Sequence, residues 1–185
     1  SGRSILPLVP AIAILIARRL EQFPVRVQSK AICLAAGAAL SLIVVGADCN
    51  YANAVRELAT RLASTYQRPA QTLWFQGHWG FQYYMQEHGG SPIDFKSSEL
   101  KLGDSVAVPS DNTNLRPMNP DTANLIGTVT VDRSGALDTM DSLTGAGFYS
   151  SLWGPLPFAF GHVAPEYASV YQLKQPTVAT PTNPQ

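Results

Sequence analysis

The sequence predicts an α/β protein in which two N-terminal transmembrane helices are followed by a small extracytoplasmic α/β domain. Three observations lead to this prediction. Two charge-free apolar stretches lie within the first 47 residues, the connection between them is basic, and the remainder alternates between helical and β-type patterns. We therefore expect three regions: residues 1–47 in the two helices, residues 48–174 in the domain, and a disordered Pro- and Thr-rich tail over residues 175–185.

The two apolar stretches are Ile5–Ala17 and Ala31–Ala47. Each is typical of a membrane helix, because neither has the polar face that an amphipathic core helix presents to water. The second stretch is at the lower edge of the ~20 residues that a spanning helix needs, and the first is shorter. Since the chain begins at Ser1 without a methionine, we expect residues of a longer parent protein to complete the first helix.

The connection between these stretches indicates the orientation of the chain. It carries an excess of cationic over acidic side chains, namely Arg18, Arg19, Arg26 and Lys30 against Glu21. Short basic connections stay on the cytoplasmic side of a membrane by the positive-inside rule. Two spans then place everything after Ala47 on the outer side. In a bacterium we expect the inner (plasma) membrane, with the C-terminal domain in the periplasm or outside the cell.

Two other interpretations of the apolar stretches stay open. In one, they are core helices of a soluble α/β protein, which would be released into buffer without detergent. In the other, Lys30 and the apolar run up to Gly46-Ala47-Asp48-Cys49 form a lipoprotein signal. The acidic Asp48 before Cys49 is unsuited to that cleavage site, and the segment is not N-terminal as a signal should be.

Charge and cysteine content exclude several classes of function. The formal net charge at pH 7 is +0, so the chain has no basic field and we expect no nucleic-acid partner. A helix between Cys33 and Cys49 would separate them by roughly 24 Å at ~1.5 Å per residue, which is too far for a disulfide. Two cysteines are also too few for a disulfide scaffold.

No catalytic or metal-binding motif stands out after Ala47. Four acidic residues have spacings that fit no cation-binding loop and are better explained as solvated loop residues: Asp94, Asp104, Asp111 and Asp121. Ser110 and Ser134 lack the Gly-x-Ser-x-Gly context of a nucleophile elbow. We therefore expect no metal, no cofactor and no catalytic residue in this chain.

Beyond residue 50 the pattern predicts an amphipathic helix followed by short alternating elements. The helix covers Asn50–Gln67 and is stopped by Pro69, and its apolar face consists of Ala52, Val55, Leu58, Ala59 and Leu62. The later elements are a strand, a helix and four strands, at Thr72–Phe75, Trp79–His88, Pro92–Phe95, Ser105–Val108, Leu125–Val131 and Ala168–Leu173. This order indicates a small α/β layer.

The segment from Ala146 to Gly161 is rich in aromatic residues, Gly and Pro, and cannot continue as a regular helix past Leu152. Its aromatic side chains fit two interpretations equally. They are either an aromatic belt at the bilayer interface or ordinary core, and the residues concerned are Tyr149, Trp153, Phe158 and Phe160.

The best candidate site follows the first predicted strand, at Gln76-Gly77-His78-Trp79-Gly80. Ligands of α/β sheets bind beside the carboxyl ends of strands, and a helix N-terminus there offers N–H donors to an anion. His78 is suited to carry a proton or a hydrogen bond, and Trp79 and Tyr83 to stack on a sugar or lipid face. We predict substrate binding by Gln76, His78, Trp79 and Tyr83. The alternative is that His78 and the aromatic residues only pack the domain onto the membrane helices.

Three strings in the sequence suggest a family. Arg3–Arg19 (RSILPLVPAIAILIARR), Trp74–Met85 (WFQGHWGFQYYM) and Gly147–Phe160 (GFYSSLWGPLPFAF) resemble parts of the C-terminal end of bacterial membrane glycosyltransferases of the GT-C type. This group includes the dolichyl-phosphate-mannose-protein mannosyltransferase-like proteins. The first string resembles a late membrane helix of the family, the second a segment of the extracytoplasmic domain, and the third its closing region.

The resemblance implies transfer of a sugar from a polyprenyl-phosphate donor to a glycan or protein acceptor, with inversion at the anomeric carbon. It also implies catalysis by an acidic residue in the first extracytoplasmic loop, near the family's N-terminus. No part of this chain corresponds to that loop, and Asp48 is not assigned its role. The expectation is thus a C-terminal fragment whose domain helps to bind or orient the acceptor. The alternative is a non-enzymatic, membrane-anchored binding or accessory subunit of the cell envelope.

Overall fold

A computed structural model describes residues 7–22 and 26–178 of the chain. The protein has a mixed α/β structure, with one long apolar helix near the N-terminus and a sheet-containing domain. The chain divides into two compact units, the first made of residues 1–51 and 134–164 and the second of residues 52–133 and 165–185. These boundaries differ from a division at residues 47 and 174, because the segment 134–164 returns to the first unit.

Two helices open the described chain. Helix α1 covers Val9–Gln22 and helix α2 covers Val27–Tyr66. Among the described residues, only α2 is long and apolar enough to cross a membrane. The prediction of a basic connecting loop needs correction, since Arg18 and Arg19 lie inside α1 and Lys30 lies inside α2. Good helix formers on both sides of the connection extend each helix into it.

The C-terminal half of α2 has the predicted amphipathic pattern. Its buried residues are Ala54, Val55, Leu58, Ala59 and Leu62, which recur at the three- and four-residue spacing of one helix face. Ala52 was predicted on this face but is exposed, and Ala54 is buried in its place. The helix ends at Tyr66, before Pro69, whose ring cannot continue the hydrogen-bond ladder.

The remaining elements are short. Helix α3 covers Trp79–Glu87. The strands are β1 Leu73–Phe75, β2 Ser91–Pro92, β3 Glu99–Leu100, β4 Ser105–Pro109, β5 Ala123–Val131, β6 Leu137–Asp138, β7 Met140–Asp141, β8 Ala146–Gly147, β9 Ala159–Phe160, β10 Glu166–Leu173 and β11 Thr177–Val178. These confirm most predicted elements of the domain, although the strand expected at Pro92–Phe95 is reduced to β2.

The main sheet belongs to the second unit and has the order β2-β1-β4-β10-β5. Strand β1 pairs parallel with both β2 and β4, whereas β10 pairs antiparallel with β4 and β5. Because β1, β2 and β4 run in the same direction, their carboxyl ends meet at one edge of the sheet. The loops that follow Phe75, Pro92 and Pro109 therefore share that edge.

Both faces of the central strands β1 and β4 are covered by apolar side chains. On one side, Phe81 of α3 contacts Phe75 edge-to-face, with ring centroids 5.9 Å apart. A second cluster contains buried residues from β3, β4, β5 and β10, namely Leu100, Val106, Ala123 and Leu173. Burial on both faces is typical of central strands in parallel and mixed sheets.

Helix α2 packs closely on β5 within the second unit. The guanidinium of Arg61 donates a hydrogen bond of 3.1 Å to the carbonyl oxygen of Thr130. A Cβ atom on Gly127 would lie 2.2 Å from the phenolic oxygen of Tyr66, so only glycine permits this approach. Strand β5 is anchored further by the buried ion pair of Arg133 with Glu166, whose nitrogen and oxygen are 3.0 Å apart.

The C-terminal tail is ordered further than predicted. Strand β11, at Thr177–Val178, pairs antiparallel with β3, so the expected disorder of residues 175–185 is wrong for its first part. Backbone pairing with a partner strand supplies hydrogen bonds that the local Pro- and Thr-rich composition does not reveal. Residues 179–185 lie outside the described residues.

Residues 134–164 of the first unit form two small antiparallel pairs, β6 with β9 and β7 with β8. Met140, Trp153 and Val163 are buried in this segment, as are the carboxylates of Asp138 and Asp141. Of the two interpretations of the aromatic residues, Trp153 is core. Phe160, by contrast, is 68% exposed.

Candidate functional site

The candidate site lies at the carboxyl ends of β1 and β4. The loop after β1 contains Gln76, Gly77 and His78, and the loop after β4 runs from Ser110 to Arg116. Since β1 and β4 are parallel neighbours, both loops leave the sheet at the same edge. This is the usual position of ligands in open α/β sheets.

Asn112 joins the two loops. Its side-chain oxygen accepts a 2.7 Å hydrogen bond from the backbone N–H of His78, and its amide nitrogen donates to the carbonyl of His78 over 3.1 Å. The same oxygen accepts from the N–H of Thr113. Gly77 has φ +98, and a Cβ there would lie 2.8 Å from the Asn112 side chain. Glycine is therefore required both by conformation and by space.

Gln76 supports the loops from beneath. It is 3% exposed, and its side-chain oxygen accepts a 2.6 Å hydrogen bond from the backbone N–H of Arg116. Its amide nitrogen lies 3.6 Å from the sulfur of Met118. The structure thus places this predicted binding residue inside the domain, where it positions the loop that follows β4.

His78 stands at the surface between two amide side chains. Its Nε2 is 3.2 Å from the amide nitrogen of Asn114, and its Nδ1 is 3.3 Å from the side-chain oxygen of Gln82. Both ring nitrogens therefore have a side-chain amide within hydrogen-bond distance.

Trp79 and Tyr83 present large aromatic surfaces beside this polar group. They are 44% and 64% exposed, and their four-residue spacing places them on one face of α3. Trp79 has φ +60, a left-handed conformation that costs a non-glycine residue of the order of 1–2 kcal/mol. The residue before it, His78, is bonded through both its N–H and its carbonyl to the side chain of Asn112.

A cation lies on the same edge. The guanidinium carbon of Arg116 is 4.0 Å from the ring centroid of Phe95, which follows β2. This distance is typical of a cation–π contact. Arg116, Asn112, Asn114 and Gln82 were all missed as site residues by sequence reasoning. Asp111 was predicted to be a solvated loop residue, but only the parallel pairing of β1 with β4 places the loop from Ser110 to Arg116 against His78.

One other polar feature lies elsewhere in the second unit. An open depression of about 540 Å³ at the amino ends of β1 and β2 is lined by Arg68, Gln71, Thr72 and Gly89, among others, and by no aromatic side chain. Among the residues that the structure describes, no group of three or more His, Cys, Asp or Glu side chains could hold a metal ion. The best-formed polar and aromatic surface is therefore the edge around His78.

The chain matches no protein-family model, no curated protein and no solved structure. Its resemblance to GT-C membrane glycosyltransferases therefore rests on the three sequence strings alone. What the site itself offers is chemical: amide and imidazole groups for hydrogen bonds, two exposed aromatic faces, and one guanidinium.

Proposed function

We propose that this chain is a membrane-anchored glycan-binding domain and the C-terminal part of a polyprenyl-phosphate-sugar-dependent membrane glycosyltransferase. The domain would bind or orient the acceptor on the outer side of the inner membrane. The observation that carries the glycan assignment is the combination of Trp79 and Tyr83 with the amide-held His78. The glycosyltransferase assignment is supported by the three strings described above.

The membrane anchor is supported by the first half of α2. Residues of this half remain exposed although they are apolar, for example Ile32 at 68%, Leu34 at 76% and Leu42 at 72%. Each such side chain in water would forgo about 1.5–3 kcal/mol of burial free energy. Lipid as the surrounding solvent removes this cost. From Ala31 to Ala47 the charge-free run of the helix is roughly 25 Å long at ~1.5 Å per residue, at the lower edge of what a ~30 Å hydrocarbon core requires.

The polar atoms of this half are also suited to lipid. Ser41 is a hydroxyl residue within the apolar run, and its Oγ donates a 2.9 Å hydrogen bond to the carbonyl oxygen of Gly37. A hydroxyl bonded to its own helix needs no water. At the other end, the Lys30 ammonium donates to the carbonyl of Leu20 over 3.0 Å. We propose α1 as part of a second span, with Arg18, Arg19, Arg26 and Lys30 on the cytoplasmic side.

The glycan assignment follows from the chemistry of the site. A sugar ring has an apolar C–H face and a rim of hydroxyls. Trp79 and Tyr83 offer flat apolar surfaces for the face, and Asn114, Gln82 and His78 offer donors and acceptors for the rim. Arg116 adds a cation that suits an acidic sugar or a phosphate group on the same ligand. Gln76 contributes by holding the Arg116 loop in place.

Binding can be tested on the full chain in lipid nanodiscs, by titration with neutral gluco- and manno-oligosaccharides. We expect binding that is lost in Trp79→Ala and in Asn114→Ala. The matched control is Leu125→Ala, an apolar side chain in β5 that is 59% exposed, which should bind like the parent. Absence of binding to any of these oligosaccharides, or equal loss in the control, would overturn the glycan assignment.

The transferase assignment needs a separate test. The chain alone should not transfer sugar from a polyprenyl-phosphate donor, whereas the parent protein with its upstream spans should. A second candidate is the non-enzymatic binding subunit. It is favoured by one observation: the whole candidate site is built from residues 73–116, so the site needs no residue from other segments. An upstream reading frame with many apolar spans and an early acidic loop supports the transferase, and a start codon just before Ser1 supports the subunit.

A further inference from the structure

The segment 134–164 is attached to α2 at the point where the apolar run of that helix ends. The hydroxyl of Tyr149 donates a 2.7 Å hydrogen bond to one carboxylate oxygen of Asp48, and the hydroxyl of Thr139 donates to the other over 3.2 Å. The side-chain amide of Asn50 donates to the carbonyl of Ser134. Asp48 directly follows Ala47, so these contacts place the segment beside the boundary of the proposed span.

The Tyr149 hydroxyl remains a hydrogen-bond donor to Asp48 over a wide pH range. Burial, together with the hydrogen bond and the negative charge of Asp48, raises the pKa of Tyr149 to about 12. The phenol therefore stays protonated at neutral pH and continues to donate. Since Asp48 receives two hydroxyl donors, the segment is held to the helix by a charge-assisted pair of bonds.

The outer surface of the same segment is apolar. Leu143 is 85% exposed, Leu152 is 79% exposed and Phe160 is 68% exposed, and Leu156 is exposed as well. Met140 and Trp153 of the same segment are buried by contrast. Single exposed apolar side chains are common on soluble proteins, but several large ones on one short segment indicate an interaction surface.

The charge distribution identifies the partner. Residues 134–164 contain no Lys, Arg or Glu, and their two acidic residues, Asp138 and Asp141, are 1% and 3% exposed. The Asp138 carboxylate accepts from the N–H of Met140, and that of Asp141 accepts from the N–H of Leu143. Water-exposed segments of this length usually carry charged side chains, whereas a charged side chain is costly in the apolar part of a bilayer. A charge-free apolar surface is therefore suited to lipid.

We propose that residues 134–164 form a second membrane contact, in which Leu143, Leu152, Leu156 and Phe160 enter the interfacial layer of the bilayer beside the end of α2. This inference rests on the proposed membrane placement of α2 and goes beyond it, because these residues belong to no spanning helix. It also revises the aromatic-belt interpretation. Phe160 belongs to the lipid contact, whereas Tyr149 and Trp153 hold the segment together and to the helix.

The proposal can be tested by spin labelling of the full chain in vesicles of phosphatidylethanolamine and phosphatidylglycerol. Single cysteines replace Leu143, Leu152 or Phe160 in a background where Cys33 and Cys49 are changed to serine. Leu42→Cys serves as the reference within the span, and Lys96→Cys, from an exposed charged residue, as the reference in water. The measurement is the ratio of label collisions with oxygen to those with a water-soluble nickel chelate.

We expect ratios at Leu143, Leu152 and Phe160 that approach the ratio at Leu42 and exceed the ratio at Lys96 severalfold. If these labels match Lys96 while Leu42 reports lipid, the span is correct and the second contact is wrong. If Leu42 itself matches Lys96, the span fails, and the second contact fails with it. The three labelled positions are exposed, so the labels leave the buried core unchanged, and circular dichroism of each labelled protein checks its fold.

Discussion

The two halves of α2 use the same secondary structure in opposite ways. From Ala31 to Ala47 the helix is apolar on all sides and has no buried side chain, whereas from Ala54 to Leu62 it is amphipathic and buries one face. A helix that is apolar on all sides is typical of apolar surroundings, whereas an amphipathic helix packs one face against protein and exposes the other to water. The burial of α2 side chains therefore changes along its length, although its backbone is α-helical throughout.

The sharpest way to test this comparison is one substitution made in each half. Leu58→Ala removes a side chain that is 1% exposed and should lower the free energy of unfolding by about 4 kcal/mol through lost burial and a new cavity. Leu42→Ala removes a side chain that is 72% exposed and should change it by less than about 0.5 kcal/mol. Urea unfolding in detergent micelles, followed by tryptophan fluorescence, measures both.

Equal destabilisation by the two substitutions would contradict the difference in burial between the two halves of α2. It would mean that Leu42 packs against protein as firmly as Leu58 does, and the soluble interpretation of the apolar helix would then gain support. A small effect in both would instead show that the C-terminal half of α2 is not part of the core of the domain.

A second contrast lies in buried charge, which the sheet domain tolerates and the apolar half of α2 lacks. Asp104 is 4% exposed, and its carboxylate accepts hydrogen bonds from the N–H groups of Thr72 and Lys101 and from the indole of Trp74. Burial by itself would raise the pKa of Asp104, but these three donors outweigh it and hold the pKa below the usual 3.8. The charged form is therefore the one that the fold stabilises.

Replacing this carboxylate should destabilise the domain. Asp104→Asn places a side-chain NH₂ group, itself a hydrogen-bond donor, opposite N–H donors. The substitution should lower the free energy of unfolding by about 2 kcal/mol at neutral pH. A lowered folded pKa contributes stability above the unfolded value, which is lost as pH falls through the folded pKa. The parent should therefore lose more stability than the variant below about pH 4. Urea midpoints from pH 7 to pH 2 measure this.

The matched control for Asp104 is Asp94, an exposed loop residue. Hydrogen bonds from Ser97 and from the backbone N–H of Lys96 lower its pKa as well. Because water replaces those bonds readily, Asp94→Asn should leave the urea midpoint nearly unchanged at pH 7. A loss in this control as large as that in Asp104→Asn would contradict the role of burial.

The smallest expected effect concerns the junction beyond the apolar half. Tyr149→Phe removes the hydrogen bond to Asp48 and should lower the free energy of unfolding by about 1 kcal/mol. A raised folded pKa contributes stability that is complete below the unfolded pKa, and here it is lost as pH rises from 10.0 to about 12. Alkaline unfolding curves should therefore be steeper for the parent than for the variant. Identical curves would show that Tyr149 does not hold the segment to α2.

The sequence predicted part of the candidate site correctly. The strand before Gln76 and the helix beginning at Trp79 were predicted within a residue or two, and with them the position of His78 at a strand end. The burial of Gln76 and the contacts of Asn112 and Asn114 were not predicted. These depend on residues that are more than 30 positions apart in the chain, and no local pattern reports such a distance.

Sequence alone determined the apolar helix, the amphipathic pattern that follows it, and most strands of the domain. These elements follow from side-chain periodicity and from proline and glycine, which act over a few neighbouring residues. Only the tertiary structure decided the strand order β2-β1-β4-β10-β5, the return of residues 134–164 to Asp48, and the pairing of β11 with β3. Each of these depends on hydrogen bonds and burial between distant segments, whose free energy exists only once the chain has folded.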